Sequence, residues 1–383
     1  MRTAGALALT LVLLGLAPAP ALTPTATAVD GPRTWRVGPD RELTAPSRAA
    51  AVAGDGDTVL IDAGTYAGDV ATWTQDDLTL RGVGGHAHLR AAGRSAQGKA
   101  IWVLAGDRTR VDRIEFSGAS VPDQNGAGIR QEGTDLTVTR SWFHDNQNGI
   151  LTGADPDSDI VIRRSRFFRS GAGDGYTHNL YVGAVRSLTV TGSWLWGADV
   201  GHELKSRAAR TTIVANRIDD ADATASYSID VPNGGRTLVA GNIVVQGPRS
   251  ENSTLVSYGA EGLTHPSRTV WVVHNTFVNR RTAGTFVALA DGAVAHLRNN
   301  LLLGPGELTS RPPASARANR RVGPGGFVDA AADDYHLRAS SPAVDRGVRV
   351  PRRWRPRWEY AHPARLVLRP SADRADLGAH ELR

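Results

Sequence analysis

Short apolar runs separated by glycine, asparagine, aspartate and serine recur along the chain. Seven of them share one pattern, in which aliphatic or β-branched residues lead to a small polar residue. They are LTVTRSWF (136–143), IVIRRSRF (160–167), LTVTGSWL (188–195), TTIVANRI (211–218), TLVAGNIV (237–244), TVWVVHNTF (269–277) and VAHLRNNLL (294–302). Short apolar runs bounded by turn residues predict β-strands rather than amphipathic helices.

The polar residues of these runs define the repeat. They are separated by 24, 28, 23, 26, 33 and 24 residues, and they are Ser141, Ser165, Ser193, Asn216, Asn242, Asn275 and Asn299. Such a period indicates stacked units, here three short strands and three turns per coil of a parallel β-helix. The Ser/Asn column is expected at a corner near the left-handed backbone region, with its amides hydrogen-bonded along the stack.

Segments near both ends extend the pattern. GDTVLIDAGTYAGDV (56–70) is typical of an entry coil, and SPAVDRG (341–347) and ADLGAHE (375–381) are typical of closing segments. Over roughly residues 36–381 the chain therefore resembles the right-handed, pectate-lyase-like β-helix proteins. The resemblance implies an all-β, single-domain solenoid of about ten coils with an N-terminal cap, placed at 41–53, and an irregular C-terminal segment.

The termini indicate export. Residues 1–28 combine Arg2, an apolar run and small residues, which predicts a signal peptide too short to span a bilayer. The β-helix domain is predicted over 29–383, with a surface loop at 306–325 and a basic, Trp-rich C-terminal loop at 348–372. We therefore expect a secreted or periplasmic protein without a membrane span, and a monomer.

The composition limits the kinds of binding and metal site that the chain can form. The chain has no cysteine, which excludes disulfides and thiolate metal sites, and its formal net charge is +6. Its basic cluster is interpreted as tryptophans packed on the last coil or as an anionic-sugar subsite, and no nucleic-acid motif accompanies it. His86 and His88 lack a third ligand at a sensible spacing, so no zinc site is predicted. The cluster comprises Arg349, Arg352, Arg353, Trp354, Arg355, Arg357, Trp358 and Tyr360.

One inward-facing column positions the candidate site. Its predicted members are Ile129, Ile150, Leu180, Leu204, Ile229, Leu255 and Phe286. Because side chains alternate across a strand, the flanking residues are expected to point outward. Their pairs are Asn179 with Tyr181, Glu203 with Lys205, Ser228 with Asp230, and Thr254 with Val256. Stacking then puts Lys205 between Tyr181 and Asp230.

These polar residues suggest proton abstraction from an acidic polysaccharide, that is, β-elimination at a uronic acid. Lys205 is the candidate base, and Tyr181, His202 or His178 the candidate acid. A neighbouring cation such as Arg207 would lower the pKa of Lys205, whereas pairing with Asp230 would raise it.

Two further sets complete the predicted site. Glu203, Asp230 and Asn179 are the candidate oxygen ligands of a Ca²⁺ ion, which would neutralise the substrate carboxylate. Substrate-binding residues are predicted in and beside the loop 247–262, with Arg249 as a carboxylate clamp. The substrate-binding set is Arg207, Arg249, Tyr258 and Glu261.

The segment GHELKSRAARTTIVANRI (201–218) is similar to one in chondroitinase-B-like and alginate-lyase-like β-helical lyases. Lys205 and Ser206 match their Lys-Ser pair, and Glu203 matches an acidic ligand. The resemblance implies a Lys base, an Arg acid on the next coil and acidic calcium ligands. This chain departs from the pattern by placing Asp230 where the family has its Arg.

Other activities remain open on the same scaffold. A uronate C5-epimerase begins with the same proton abstraction, and a glycoside hydrolase would use a carboxylate pair such as Glu203 and Asp230. A non-catalytic polysaccharide-binding or cell-envelope protein needs only the groove.

Overall fold

A computed structural model describes residues 31–220, 222–371 and 373–383. They form a right-handed parallel β-helix, which confirms the predicted fold class. The predicted signal peptide, residues 1–28, lies outside the described residues. Within these residues no helix combines the length and the apolar character needed to cross a bilayer.

The described residues contain 35 strands, one α-helix and three 3-10 helices. The α-helix is α1 (Pro46–Ala50), and the 3-10 helices are Pro324–Gly326, Ala330–Ala332 and Arg352–Trp354. The strands are β1 (Thr34–Val37), β2 (Thr58–Ala67), β3 (Ala71–Trp73), β4 (Thr79–Arg90), β5 (Ala100–Leu104), β6 (Thr109–Asp112), β7 (Ile114–Ser117), β8 (Ala127–Gln131), β9 (Leu136–Thr139), β10 (Trp142–His144), β11 (Asn148–Thr152), β12 (Asp159–Arg163), β13 (Arg166–Phe168), β14 (Leu180–Val182), β15 (Ser187–Thr191), β16 (Trp194–Trp196), β17 (Leu204–Ser206), β18 (Arg210–Val214), β19 (Arg217–Asp219), β20 (Ile229–Val231), β21 (Arg236–Ala240), β22 (Ile243–Gln246), β23 (Thr254–Tyr258), β24 (Thr269–Val273), β25 (Thr276–Asn279), β26 (Thr285–Leu289), β27 (Val294–Arg298), β28 (Leu301–Leu303), β29 (Glu307–Thr309), β30 (Ser315–Arg317), β31 (Arg320–Arg321), β32 (Phe327–Asp329), β33 (Asp334–Leu337), β34 (Trp358–Ala361) and β35 (Arg365–Leu368).

Three parallel sheets run along the solenoid, and each full coil gives one strand to each sheet. In the described part of the chain, sheet 1 contains ten strands: β3, β5, β8, β11, β14, β17, β20, β23, β26 and β29. Sheet 2 follows it in each coil and contains β1, β2, β4, β6, β9, β12, β15, β18, β21, β24, β27 and β30. Sheet 3 contains β7, β10, β13, β16, β19, β22, β25, β28 and β31, together with the second halves of the long strands β2 and β4.

The predicted inward column is correct through Ile229 and wrong by one residue afterwards. Ile229 pairs with Val256, which in turn pairs with Val287, instead of Leu255 and Phe286. All of these residues are buried. Residues 254–258 read TLVSY, so apolar side chains occupy both faces and the sequence pattern does not mark the register.

A ladder of buried Ser and Asn side chains joins the coils at the corner between sheets 2 and 3. Each side-chain oxygen accepts the backbone N–H of its counterpart on the preceding coil, as Asn242 does from Asn216 at 2.9 Å. The Asn members other than Asn319 also donate their amides to the next oxygen along the ladder. Asn319, the last and only partly buried member, donates its amide to the Leu297 carbonyl. The ladder comprises Ser141, Ser165, Ser193, Asn216, Asn242, Asn275, Asn300 and Asn319.

Two details of the corner differ from expectation. Asn275 pairs with Asn300, so the predicted member Asn299 was misaligned by one residue. The left-handed backbone belongs to the residue before each ladder member, including Ala215 (φ 53°), His274 (φ 53°) and Asn299 (φ 58°). The ladder side chain thus points inward along the stack, and its hydrogen bonds explain the polar column.

The N-terminal segment 41–53 contains the short helix α1, which packs Ala49 into the core as a cap would. The segment 306–325 was predicted to be a surface loop. Instead it holds β29, β30 and β31, which form a further coil. Its strands are mostly exposed, which explains why their sequence lacks apolar runs.

The segment 348–372 was predicted to be a loop, but its described residues, 348–371, contain a 3-10 helix followed by the antiparallel hairpin β34–β35. Trp354 is buried and stacks on Trp271 of sheet 2, with ring centroids 5.4 Å apart. Tyr360 is buried in a second core cluster. The interpretation of tryptophans packed on the last coil is therefore correct only in part. Trp354 packs on the coils, but on β24 instead of the last coil, and Trp358 is exposed.

Replacing Asn242 by alanine should destabilise the solenoid by roughly 2–4 kcal/mol. The change leaves the buried Asn216 N–H and Ile213 carbonyl without their partner and breaks the link to Asn275. Urea denaturation measures the shift. Asn242→Ser should cost less, because serine fills this position in earlier coils.

The control is Asn125→Ala, in an exposed turn. Equal unfolding midpoints for the Asn242→Ala and Asn125→Ala variants would contradict a stabilising role of the ladder.

Candidate active site

The outward face of sheet 1 carries the predicted polar column. Tyr181 pairs with Lys205, and Lys205 pairs with Asp230, so the three lie on successive strands β14, β17 and β20. Leu151 occupies the register position before them, and Ser257 the position after. The concentration of ionisable side chains is therefore local, as the sequence indicated.

Lys205 is held between two carboxylates. Its Nζ lies 3.4 Å from Oδ2 of Asp230 and 3.0 Å from Oε1 of Glu261. Oδ2 of Asp230 also lies 3.3 Å from Nε2 of His202. Asp230 is almost completely buried, and its Oδ1 has no hydrogen-bond partner among the described residues. A buried, unpaired acceptor beside a lysine is unusual enough to mark a candidate site.

Arg207 lies two residues beyond Lys205 and completes the cluster. Its Nε donates to the Tyr181 hydroxyl (2.9 Å), and its Nη1 donates to Oδ1 of Asn233 (2.7 Å). Nη1 also lies 2.7 Å from Oε2 of Glu261. The Glu261 carboxylate is thus shared by Arg207 and Lys205, and the hydrogen bond from Arg207 is the main cause of its lowered pKa. Two cations therefore converge on one half-exposed carboxylate.

The loop 259–268 delivers Glu261 from two coils away. Its backbone is anchored on the preceding turn by hydrogen bonds from Glu261 N–H to Pro232 and from Thr264 N–H to Asn233. The His265 ring hydrogen-bonds the Arg207 carbonyl at 2.9 Å. The predicted substrate-binding residues Arg207 and Glu261 are consequently brought together, although they lie far apart in sequence.

The two predicted histidines stack at the edge of sheet 1, with ring centroids 4.8 Å apart. Gly201 allows this approach, because a Cβ there would overlap the Thr177 carbonyl. Nδ1 of His178 accepts the His202 N–H at 3.0 Å. Burial, followed by the charges of His202 and Lys205, lowers the pKa of His178 well below its usual value. His178 is therefore a neutral support behind His202.

The three predicted calcium ligands do not converge. Glu203 is fully buried in the corner that precedes sheet 1, where it accepts hydrogen bonds from Ala198 N–H (2.8 Å) and the Asn179 amide (2.5 Å). Oδ1 of Asn179 accepts the Ser170 N–H. Asp230 instead faces Lys205 and His202. This arrangement does not fit a calcium site.

Two other predicted site residues lie apart from the cluster. Tyr258 belongs to the hydrophobic core, and its hydroxyl donates to the Gly235 carbonyl at 2.6 Å. Burial also raises its pKa, as expected for a phenol without access to water. The shifted register of β23 is the reason that this side chain points inward. Arg249 is exposed in the turn after β22, where no contact with the cluster is seen among the described residues.

Sequence reasoning missed Asn233, which has no pattern beyond a turn in PNGG (232–235). It also left the basic C-terminal cluster undecided. Cavities of about 230 and 440 Å³ adjoin that segment, and Arg355 lines both. They are separate from the Lys205 cluster, which lies on the outward face of sheet 1 and is contacted by the loop 259–268 through Glu261.

The similarity of this chain to known proteins lies in its fold. No family model matches the chain, and no curated protein matches it in sequence. Among solved structures, pectate lyase Pel9A is similar, with a TM-score of 0.67 and 14% identity over 93% of this chain and 98% of that one. The two share the β-helix fold. A mutant of the PL6 family alginate lyase AlyGC gives a TM-score of 0.30 and 12% identity over 75% of this chain and 53% of that chain.

A buried carboxyl group in the corner behind the Lys205 cluster should make the stability of the fold depend on pH. Asp220 is buried beside Glu203, and burial raises its pKa to about 6, although Ser250 and the N–H groups of Gly247 and Ala225 donate to it. Because the folded pKa exceeds the usual value, protonation stabilises the fold. That contribution, on the order of 3 kcal/mol, is complete below about pH 4 and is lost as the pH rises through 6.

Urea denaturation between pH 4 and pH 7.5 tests this expectation. Asp220→Asn should flatten the decline in unfolding free energy across this range, while Asp123→Asn, in an exposed loop, should not. Parallel profiles for wild type and Asp220→Asn would contradict the assignment.

Proposed function

We propose that this protein is a polysaccharide lyase that cleaves a uronic-acid-containing polysaccharide by β-elimination, with Lys205 as the base. The observation that carries the proposal is the carboxylate of Glu261, which Lys205 and Arg207 bind together on the outward face of sheet 1. A uronate carboxylate has the same chemistry and can exchange with Glu261. The fold shared with pectate lyase Pel9A supports the scaffold, not the activity.

The choice of lysine supports a role in proton transfer. Lys99 and Lys205 are the lysines among 44 Lys and Arg residues, so arginine is otherwise this chain's basic residue. Arginine stays protonated in proteins, whereas a lysine amine can release its proton and act as a base. A lysine at 205 beside an arginine at 207 thus separates the two tasks of abstraction and charge neutralisation.

In the proposed reaction the substrate carboxylate displaces Glu261 and binds Arg207, which acidifies the neighbouring C–H bond. Lys205 first releases its own ammonium proton to solvent and then removes the C–H proton as a neutral amine. The C–H electron pair becomes the new carbon–carbon double bond as the C–O bond to the leaving sugar breaks. Tyr181 or His202 then protonates the leaving oxygen.

Contacts in the cluster support these roles. Arg207 donates to the Tyr181 oxygen, so the phenolic proton remains available for transfer. Asp230 contacts both Lys205 and His202 and is positioned to orient them. Displacement of Glu261 by substrate removes one of the two anionic partners of Lys205.

Replacing Lys205 should abolish most turnover. We expect Lys205→Ala and Lys205→Arg each to lower kcat by about 10²–10⁴, because arginine keeps the charge but cannot accept the proton. Product formation is followed by the ultraviolet absorbance of the unsaturated uronate on pectate, alginate and glycosaminoglycan substrates.

The matched control is Lys99→Ala, which removes the chain's other lysine from a surface ion pair with Glu132. Full activity of the Lys205→Arg variant on an accepted substrate would exclude Lys205 as the base.

Glu261→Gln tests the exchange of carboxylates. The variant keeps the side-chain shape but removes the negative charge that competes for Lys205 and Arg207. We expect KM for the acidic polymer to fall several-fold while kcat changes little, and Glu251→Gln, in a nearby exposed turn, to leave both constants unchanged. A large rise in KM would show instead that Glu261 itself binds substrate.

One observation favours a second candidate, a glycoside hydrolase. Asp230 and Glu261 contact the same Lys205 nitrogen at 3.4 and 3.0 Å, so two carboxylates face one point of the site. A retaining glycoside hydrolase uses two carboxyl groups about 5–5.5 Å apart. A hydrolase releases reducing ends without unsaturated uronate. A C5-epimerase changes the uronate composition without cleavage, so product analysis separates the three activities.

A further inference from the structure

Three potential metal ligands meet on the outer face of sheet 3. His88 lies on β4, Glu115 on β7 and His144 on β10, which are neighbouring strands of successive coils. His88 is directly opposite Glu115, and His144 reaches Glu115 diagonally, since its own register partner is Ser117. We call these three residues the His-Glu-His cluster. It lies on a different sheet from the Lys205 site, so the proposed lyase chemistry does not use it.

The distances between the ligand atoms of the cluster are close to those around a tetrahedral metal ion. Oε1 of Glu115 lies 3.0 Å from Nε2 of His144 and 3.7 Å from Nε2 of His88. All three atoms lie within 4.8 Å of one another. Tetrahedral zinc with ligands at 2.0–2.1 Å requires ligand atoms about 3.3 Å apart, so small side-chain rotations would close the site.

A second layer of contacts orients His144. Its Nδ1 pairs with Oδ2 of Asp145 at 2.6 Å, which leaves Nε2 directed at Glu115. Asp145 is in turn bound by the Arg169 guanidinium through two hydrogen bonds. The His144 ring also stacks on Phe168, with centroids 4.7 Å apart. A carboxylate on the far nitrogen of a histidine is the usual support of a metal-binding imidazole.

Two existing contacts compete with a metal. Nε2 of His144 hydrogen-bonds Oε1 of Glu115 at 3.0 Å, so a metal must replace the proton between these two ligand atoms. Nε2 of His88 hydrogen-bonds the Ser117 hydroxyl at 2.7 Å, and the ring must exchange this bond for the metal. The side chains of His88, Glu115 and His144 retain 23%, 18% and 15% exposure, so an ion can enter from solvent and keep a position for water.

We propose that the His-Glu-His cluster binds one divalent transition-metal ion of the zinc type. Two imidazoles and one carboxylate suit zinc and its neighbours in the first transition row, whereas calcium prefers six to eight oxygen ligands. Ligands from three consecutive coils mean that the bound ion cross-links β4, β7 and β10 from outside the solenoid. The ion thus adds stability to the N-terminal coils.

The test is titration of the full, untagged chain with zinc chloride after removal of metals by a chelator. Calorimetry should show one site in the micromolar range or tighter. Glu115→Gln and His144→Gln should each weaken binding at least tenfold, and Asp145→Asn about tenfold, because it removes the support of His144. Zinc should raise the melting temperature of the wild type but not of the Glu115→Gln variant.

The matched control is His296→Gln, which removes a histidine with a similar hydrogen bond to a serine, Ser315, on sheet 2. Cobalt(II) bound to the wild type should also show the visible absorption of a low-coordinate site, a readout that requires no variant. Absence of zinc binding by the wild type overturns the proposal. So does an equal loss of affinity in His296→Gln and His144→Gln, which would indicate scattered surface histidines.

Discussion

The stacking of one coil on the next is the constraint on which the rest of this structure depends. Parallel strands pair coil to coil, and at the corner between sheets 2 and 3 the polar ladder connects successive turns. Without that ladder the buried corner N–H groups would lose their acceptors, which is costly in a dry interior. Asn242 illustrates this, since its amide satisfies Asn216, Ile213 and Asn275 together.

The same stacking creates chemistry by placing side chains of distant sequence in columns. On sheet 1 it aligns Tyr181, Lys205 and Asp230, and on sheet 3 it brings His88 and Glu115 face to face. In each column the short distance between neighbouring strands sets the spacing of the side chains. Both clusters therefore lie on outward faces of the sheets.

Prediction from sequence succeeded where one face of a strand is polar and failed where both are apolar. The register was correct through Ile229 and slipped at TLVSY (254–258), which moved Tyr258 from the predicted site into the core. The sequence could not show which of Asn299 and Asn300 belongs to the ladder. In the structure Asn299 has the left-handed backbone of the residue before a ladder member, and Asn300 is the member. The coil at 306–325 was not predicted because its exposed strands contain few apolar residues.

The sequence by itself determined the solenoid, its repeat and the alignment of Lys205 with its neighbours, because local alternation and a regular period encode them. Only the tertiary structure decided which groups touch. It folded Glu261 back over two coils onto Lys205 and Arg207, enclosed Glu203 and Asn179 in a corner, and assembled the His-Glu-His cluster from three coils. Those contacts depend on the paths of the turns and on the directions of the side chains. The periodic pattern of the sequence predicts neither.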